Sequence, residues 1–155
     1  MCSSDLPIDA VRTPESDVTF DIYPYPSGSS IAVSLLPAFA QEDGPVAILK
    51  RLRDPAERRK IVDYLDHDEK QMLSTIILGY MPMAPETEGT RLTDLAAGRG
   101  RTPGEALCEI LVEQNLKVGH VGAPPESHAT RHQMDKDFMQ LVARPDYMEI
   151  GRAHV

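Results

Sequence analysis

Apolar and polar residues alternate through Asp17-Val18-Thr19-Phe20-Asp21-Ile22-Tyr23. Val18, Phe20 and Ile22 fall on one side, and Thr19, Asp21 and Tyr23 on the other. A period of two in β-branched and aromatic residues predicts a strand over 18–23. Pro24 and Pro26 cannot donate to a ladder, so the strand ends there and a Ser/Gly-rich loop begins. A strand apolar on one face and polar on the other suits a barrel wall, with helices outside and a polar mouth inside.

The pattern then changes to a helical period. Gly44-Pro45 opens a helix carrying Val46, Ile48, Leu49 and Leu52. Asp54-Pro55-Ala56-Glu57 sets a cap, a proline at the first helical position and a glutamate near the third. The helix it starts carries Ile61, Val62 and Leu65 inward and Arg58, Arg59 and Lys60 outward. Ser74–Gly79 reads as a short strand closed by Tyr80-Met81-Pro82, and 83–90 as an irregular loop. Leu92 to Ala97 make one or two helical turns stopped by Gly98 and Gly100. Thr102-Pro103-Gly104-Glu105 is a second capping box, and its helix over 103–115 sets Ala106, Leu107, Ile110 and Leu111 against Glu109 and Glu113. Lys117–Val121 reads as a strand and Gly122-Ala123-Pro124-Pro125 as a rigid loop. Met134, Phe138, Leu141 and Val142 line a last helix that Arg144-Pro145 ends, and Tyr147-Met148 begin another strand.

Composition narrows the classes. The 155 residues carry 24 acids against 16 bases, net −8. That balance argues against a phosphate-binding surface, so no nucleic-acid partner is expected and the Arg58–Lys60 run is a solvated face. No apolar run approaches the ~20 residues of a membrane span, and no signal peptide opens the chain. Cys2 and Cys108 make no disulfide framework, and a cytoplasmic setting is the default.

The ends read differently from the rest. Glu149-Ile150-Gly151-Arg152-Ala153-His154-Val155 resembles the translation of a common sequencing adapter, GAG ATC GGA AGA GCA CAC GTC. Met1-Cys2-Ser3-Ser4-Asp5-Leu6 resembles its opposite strand, GTG TGC TCT TCC GAT CT. Residues 1–6 and 149–155 are therefore expected to be foreign to the gene.

The strand and loop at Val18-Thr19-Phe20-Asp21-Ile22-Tyr23-Pro24-Tyr25-Pro26-Ser27-Gly28, followed by Leu35-Leu36-Pro37, resemble the N-acyl-D-amino-acid deacylase (D-aminoacylase) family of the amidohydrolase superfamily. Leu52-Arg53-Asp54-Pro55, Leu92-Thr93-Asp94-Leu95-Ala96, Glu105-Ala106-Leu107-Cys108, Val118-Gly119 and Ala143-Arg144-Pro145-Asp146-Tyr147-Met148 follow in the family's order. The resemblance covers about residues 7–148. It implies an α/β fold, part of a (β/α)₈ TIM-type barrel holding late strands and helices with an inserted helical flap. On that plan 7–26 are a helix tail and a barrel strand, 27–89 the flap over the active site, and 90–148 the last barrel helices and strands. A complete barrel needs about 250 residues, so this would be a fragment.

The family's enzymes are zinc-dependent. A metal lowers the pKa of bound water and polarises the acyl carbonyl, and an aspartate carries the proton to the leaving nitrogen. The resemblance implies a small-molecule N-acyl-D-amino acid substrate, with zinc ligands upstream of this stretch. The general-base Asp is expected just after Met148, where Glu149-Ile150-Gly151-Arg152 stands instead. No catalytic or metal residue is carried over, and none of His67, His120, His128, His132 or His154 matches a family ligand. Tyr23, Tyr25 and Ser27 are the candidates for lining the substrate pocket, holding a carboxylate or amide by hydrogen bonds. Asp21 either shares that role or is a buried polar residue held by loop amides. His120 falls near the barrel mouth as a pocket-lining or structural histidine, His128 and His132 sit one helical turn apart at a solvated helix entrance, and Cys108 reads as a small core residue. The fragment alone is expected to be inactive and poorly folded, because barrel strands without neighbours leave open edges. Two other readings stand beside this one: a small non-enzymatic α/β interaction module, and a fragment of a dihydroorotase- or hydantoinase-like cyclic amidase.

Overall fold

The computed structural model describes Thr13, Glu15 and residues 19–22, 27–144 and 147–149. The chain is mixed α/β. In order its elements are β1 (Phe20–Ile22), β2 (Ser29–Ile31), a 3₁₀ turn (Ala32–Leu35), α1 (Ala38–Gln41), α2 (Gly44–Arg53), α3 (Pro55–His67), α4 (Lys70–Ser74), β3 (Ile76–Tyr80), a second 3₁₀ turn (Pro85–Thr87), α5 (Leu92–Arg99), α6 (Pro103–Glu113), β4 (Gly119–Gly122), α7 (His128–Val142) and β5 (Tyr147–Glu149). They divide into two compact units, 27–124 and the two flanking stretches together.

In the central unit β4 lies between β2 and β3 and is antiparallel to both, with Ser30 and Leu78 opposite His120. The β2–β4 ladder joins the start of this unit to its end, and Gly122 N–H donates to Gly28 O at 2.9 Å. The ladder is irregular between Leu78 and Tyr80. A β-carbon on Gly119 would lie 2.9 Å from Tyr80 Cβ, so only glycine fits opposite Tyr80.

The helices form because their local signals agree. Asp54 Oδ1 accepts from the amides of Ala56 and Glu57 at the head of α3. Thr102 Oγ1 accepts from Glu105 N–H while Glu105 Oε2 accepts from Thr102 N–H, completing the capping box of α6. Gly100, at φ 63, ends α5 in the left-handed region. After α6 both Asn115 (φ 51) and Leu116 (φ 66) are left-handed, which turns the chain back toward β4. A bulky residue rarely adopts that conformation. Leu116 holds it with its amide donating to Leu111 O at 2.7 Å and its side chain against the core.

The core joins Leu36, Ile48, Leu52, Ile61, Leu65, Leu73, Ile76, Leu78, Met81, Leu92, Leu107, Ile110, Leu111 and Val118, all in the central unit. At about 1.5–3 kcal/mol for each fully buried large aliphatic side chain, this cluster is what holds the unit together. Helix α6 is its centre. Gly104, Ala106, Leu107, Cys108, Ile110 and Leu111 are all buried, and the helix packs on α2, α3, α4 and α5. Sequence assigned α6 to an outer barrel layer, whose helices bury one stripe on a parallel sheet. Here it is buried among helices, in the same unit as residues 27–89. Among the described residues there is no closed barrel, because the three-stranded sheet is antiparallel and its strands do not curl back on themselves. On α2, Ile48 and Leu52 are buried one turn apart, whereas Val46 is on the opposite face and 83% exposed.

In the flanking unit β1 and β5 pair in parallel, with Phe20 opposite Tyr147, Asp21 opposite Met148 and Ile22 opposite Glu149. Helix α7 lies between them in sequence. Arg144 at its end places its guanidinium carbon 5.5 Å from the Phe20 ring centroid. Among the described residues no helix is long and apolar enough to cross a membrane.

Candidate functional site

Tyr23 and Tyr25 lie outside the described residues. Asp21 is the middle residue of β1, opposite Met148. Ser27 is half-buried and leads into β2. Beyond it Ser34 Oγ donates to Ile31 O at 2.7 Å and meets Ser30 Oγ at 3.3 Å, so these hydroxyls close the turn after β2.

The buried histidine is the most distinctive polar group of the central unit. His120 is in the middle strand of the sheet and only 9% exposed. Its Nδ1 is buried with no hydrogen-bond partner among the described residues. Burial lowers its pKa below the ordinary histidine value, so the imidazole is neutral at physiological pH. A neutral imidazole can accept a proton or a hydrogen bond. Base catalysis also needs a donor within reach, and the residues opposite His120 in the ladder are Ser30 and the buried Leu78. Cys108, in the same unit, is buried in α6 with its pKa pushed up to about 12 by desolvation. It stays a protonated thiol, as a small core residue does.

The largest charged constellation joins α3, α5 and α6. Glu109 receives Arg101 Nε at 2.9 Å, Arg58 at 3.4 Å and Arg99 at 3.7 Å, while Arg99 forks onto both oxygens of Glu113 at 2.9 and 3.1 Å. Hydrogen bonding to Glu113 raises the Arg99 pKa further. Beside the cluster runs a groove of about 520 Å³ lined by Pro55, Arg58, Arg59, Val62, Asp63, Arg101, Glu105 and Glu109. Its three guanidiniums face three carboxylates, so it has no net charge to concentrate an anion. Partly exposed pairs of this kind contribute about 0–1 kcal/mol each and fix helix orientation more than they add stability. Arg58, read from sequence as part of a solvated run, turns inward to this cluster. Arg59 and Lys60 are exposed as expected.

Sequence reasoning missed two polar side chains that organise loops. Gln114, 2% exposed, accepts from Met83 N–H at 2.8 Å through Oε1. Glu88 Oε1 accepts from Met81 N–H at 2.8 Å. Neither shows in hydrophobic periodicity, since a buried glutamine after a helix has the same pattern as an exposed one.

Among the described residues no group of three or more His, Cys, Asp and Glu side chains is placed to hold a metal ion. Comparison with protein-family models, with curated proteins and with solved structures gave no match to this chain.

Proposed function

We propose that this chain is the late part of an amidohydrolase of the N-acyl-D-amino-acid deacylase kind, whose parent hydrolyses an N-acyl-D-amino acid to a carboxylate and the free D-amino acid. The observation that carries the reading is the parallel pair β1–β5. These strands are the two segments with which the family resemblance opens and closes, and α7 lies between them in sequence. Strand, helix and parallel neighbour is the repeating unit of a (β/α)₈ barrel. Residues 27–124 then form an insert between the strand and its helix, longer than the flap over 27–89 read from sequence. Its ends meet at Gly28 and Gly122, as the ends of an insert must.

On this reading the candidates for contacting the substrate remain those read from sequence: Asp21, within β1, and Tyr23, Tyr25 and Ser27, which follow that strand along the chain. The described residues do not fit a catalytic zinc, whose ligands would lie elsewhere in the parent. On the same reading the 155-residue chain alone is inactive. The test is a long read of the source DNA across both ends of the frame, then assay of the whole product on N-acetyl-D- and N-acetyl-L-amino acids and on a hydantoin. Continuation of Met148 into a Gly-Ser-Asp segment, with D-selective acylase activity, supports the proposal. Cyclic-amide hydrolysis assigns the parent to the neighbouring amidase class. A frame that truly ends at Val155 leaves the interaction-module reading, which the self-contained core of 27–124 favours.

A further inference from the structure

Helix α7 carries His128 and His132 four residues apart, which at about 100° of rotation per residue sets them on one face. Both side chains are exposed. Their rings stack with centroids 6.4 Å apart and planes at 23°. Among the described residues no further His, Cys, Asp or Glu is placed to join the pair as a third ligand. Arg131, the nearest cation in sequence, is drawn off by a 3.1 Å hydrogen bond from Nη1 to Pro125 O.

We propose that His128 and His132 form a two-imidazole site for a divalent transition-metal ion of the zinc, nickel and copper class, with water completing the coordination shell. Imidazole nitrogen is a borderline ligand that suits these ions, whereas magnesium and calcium prefer oxygen. Two imidazoles one helical turn apart can reach one ion from a scaffold that already fixes their spacing. The second nitrogen therefore binds at high effective concentration. Two ligands instead of three or four, at a helix N-terminus whose dipole opposes a cation, make the site weak and exchangeable. The inference stands independently of the deacylase reading.

The test titrates the full chain with ZnCl₂ and NiCl₂ near neutral pH, following heat and the imidazole proton resonances. The expected result is one site, with the His128 and His132 resonances responding together. His132→Gln should weaken binding by roughly tenfold or more, because one chelating arm is lost. A second variant, His132→Gln with Gln133→His, keeps the number of histidines but turns one imidazole about 100° away. It should bind as weakly as the single variant. Circular dichroism checks that the helix persists in both. Binding by the double variant as tight as the original, or no difference between the original and His132→Gln, would overturn the proposal.

Discussion

The amide of Gly104 donates to Asp66 Oδ1 at 2.8 Å, and that same oxygen occupies the space a side chain would need. A β-carbon on Gly104 would sit 2.8 Å from Oδ1 and 3.0 Å from Leu65 Cβ. The head of α6 thus touches the end of α3 with no room between them. Gly104→Ala forces the helices apart or displaces the Asp66 carboxylate, and overpacking of this kind costs roughly 1–3 kcal/mol. Urea unfolding of the two proteins measures it. A variant more stable than the parent, as the gain in helix propensity on adding a methyl would make it with no clash, would show that the contact yields freely.

His120 makes stability depend on pH in a defined window. Burial lowers its folded pKa below 6.5, so the unfolded chain binds a proton more readily. The stabilising difference is fully present above 6.5 and is lost as pH falls from 6.5 through the folded pKa. His120→Leu removes the titration and the unpartnered Nδ1 together. The unfolding midpoint of the variant, relative to the parent, should therefore rise as the solution is acidified through this window. A constant difference between pH 5 and pH 8 would sink the idea.

Cys108 should be silent to thiol reagents while the protein is folded. Its pKa of about 12 leaves negligible thiolate at neutral pH, and the side chain is fully buried. In a Cys2→Ser background, a disulfide reagent should label Cys108 only at the rate of unfolding, and at once in denaturant. Because the folded pKa is raised above the unfolded one, this thiol's contribution to stability holds below about pH 8.5 and is lost as pH rises toward 12. Rapid labelling in native buffer would show that α6 opens locally.

Residues 27–124 should resist proteolysis as a block. Their core is their own, and the Gly28–Gly122 hydrogen bond ties the entry to the exit. The expectation from sequence of a poorly folded fragment rested on unpaired barrel strands, and that reasoning bears on β1 and β5 rather than on this unit. Limited digestion of the full chain should leave a stable product bounded near 27 and 124, identified by mass. Early cuts inside α3 or α6 would contradict it.

Much of the local structure was legible in the sequence. The Asp54-Pro55 and Thr102-Pro103-Gly104-Glu105 signals place the starts of α3 and α6, because caps and prolines act over three or four residues. The strands read from sequence over 74–79 and 117–121 are present, shifted to Ile76–Tyr80 and Gly119–Gly122, and the helix carrying Met134 and Phe138 spans His128–Val142. Short elements such as β2 and α4 escaped the sequence reading, since three or five residues are too few to show a period. The partners of each element were not legible at all. Whether the strand at His120 runs parallel or antiparallel to its neighbours, and whether α6 covers a sheet or sits among helices, depends on contacts between residues distant in sequence. Nor does any local pattern show that Gln114 turns inward to Met83 or that Arg58 reaches Glu109. Sequence by itself determined where the capped helices α3 and α6 begin and which of their faces are apolar. Tertiary structure decided what those faces meet, because an apolar stripe specifies that it must be buried and not against what.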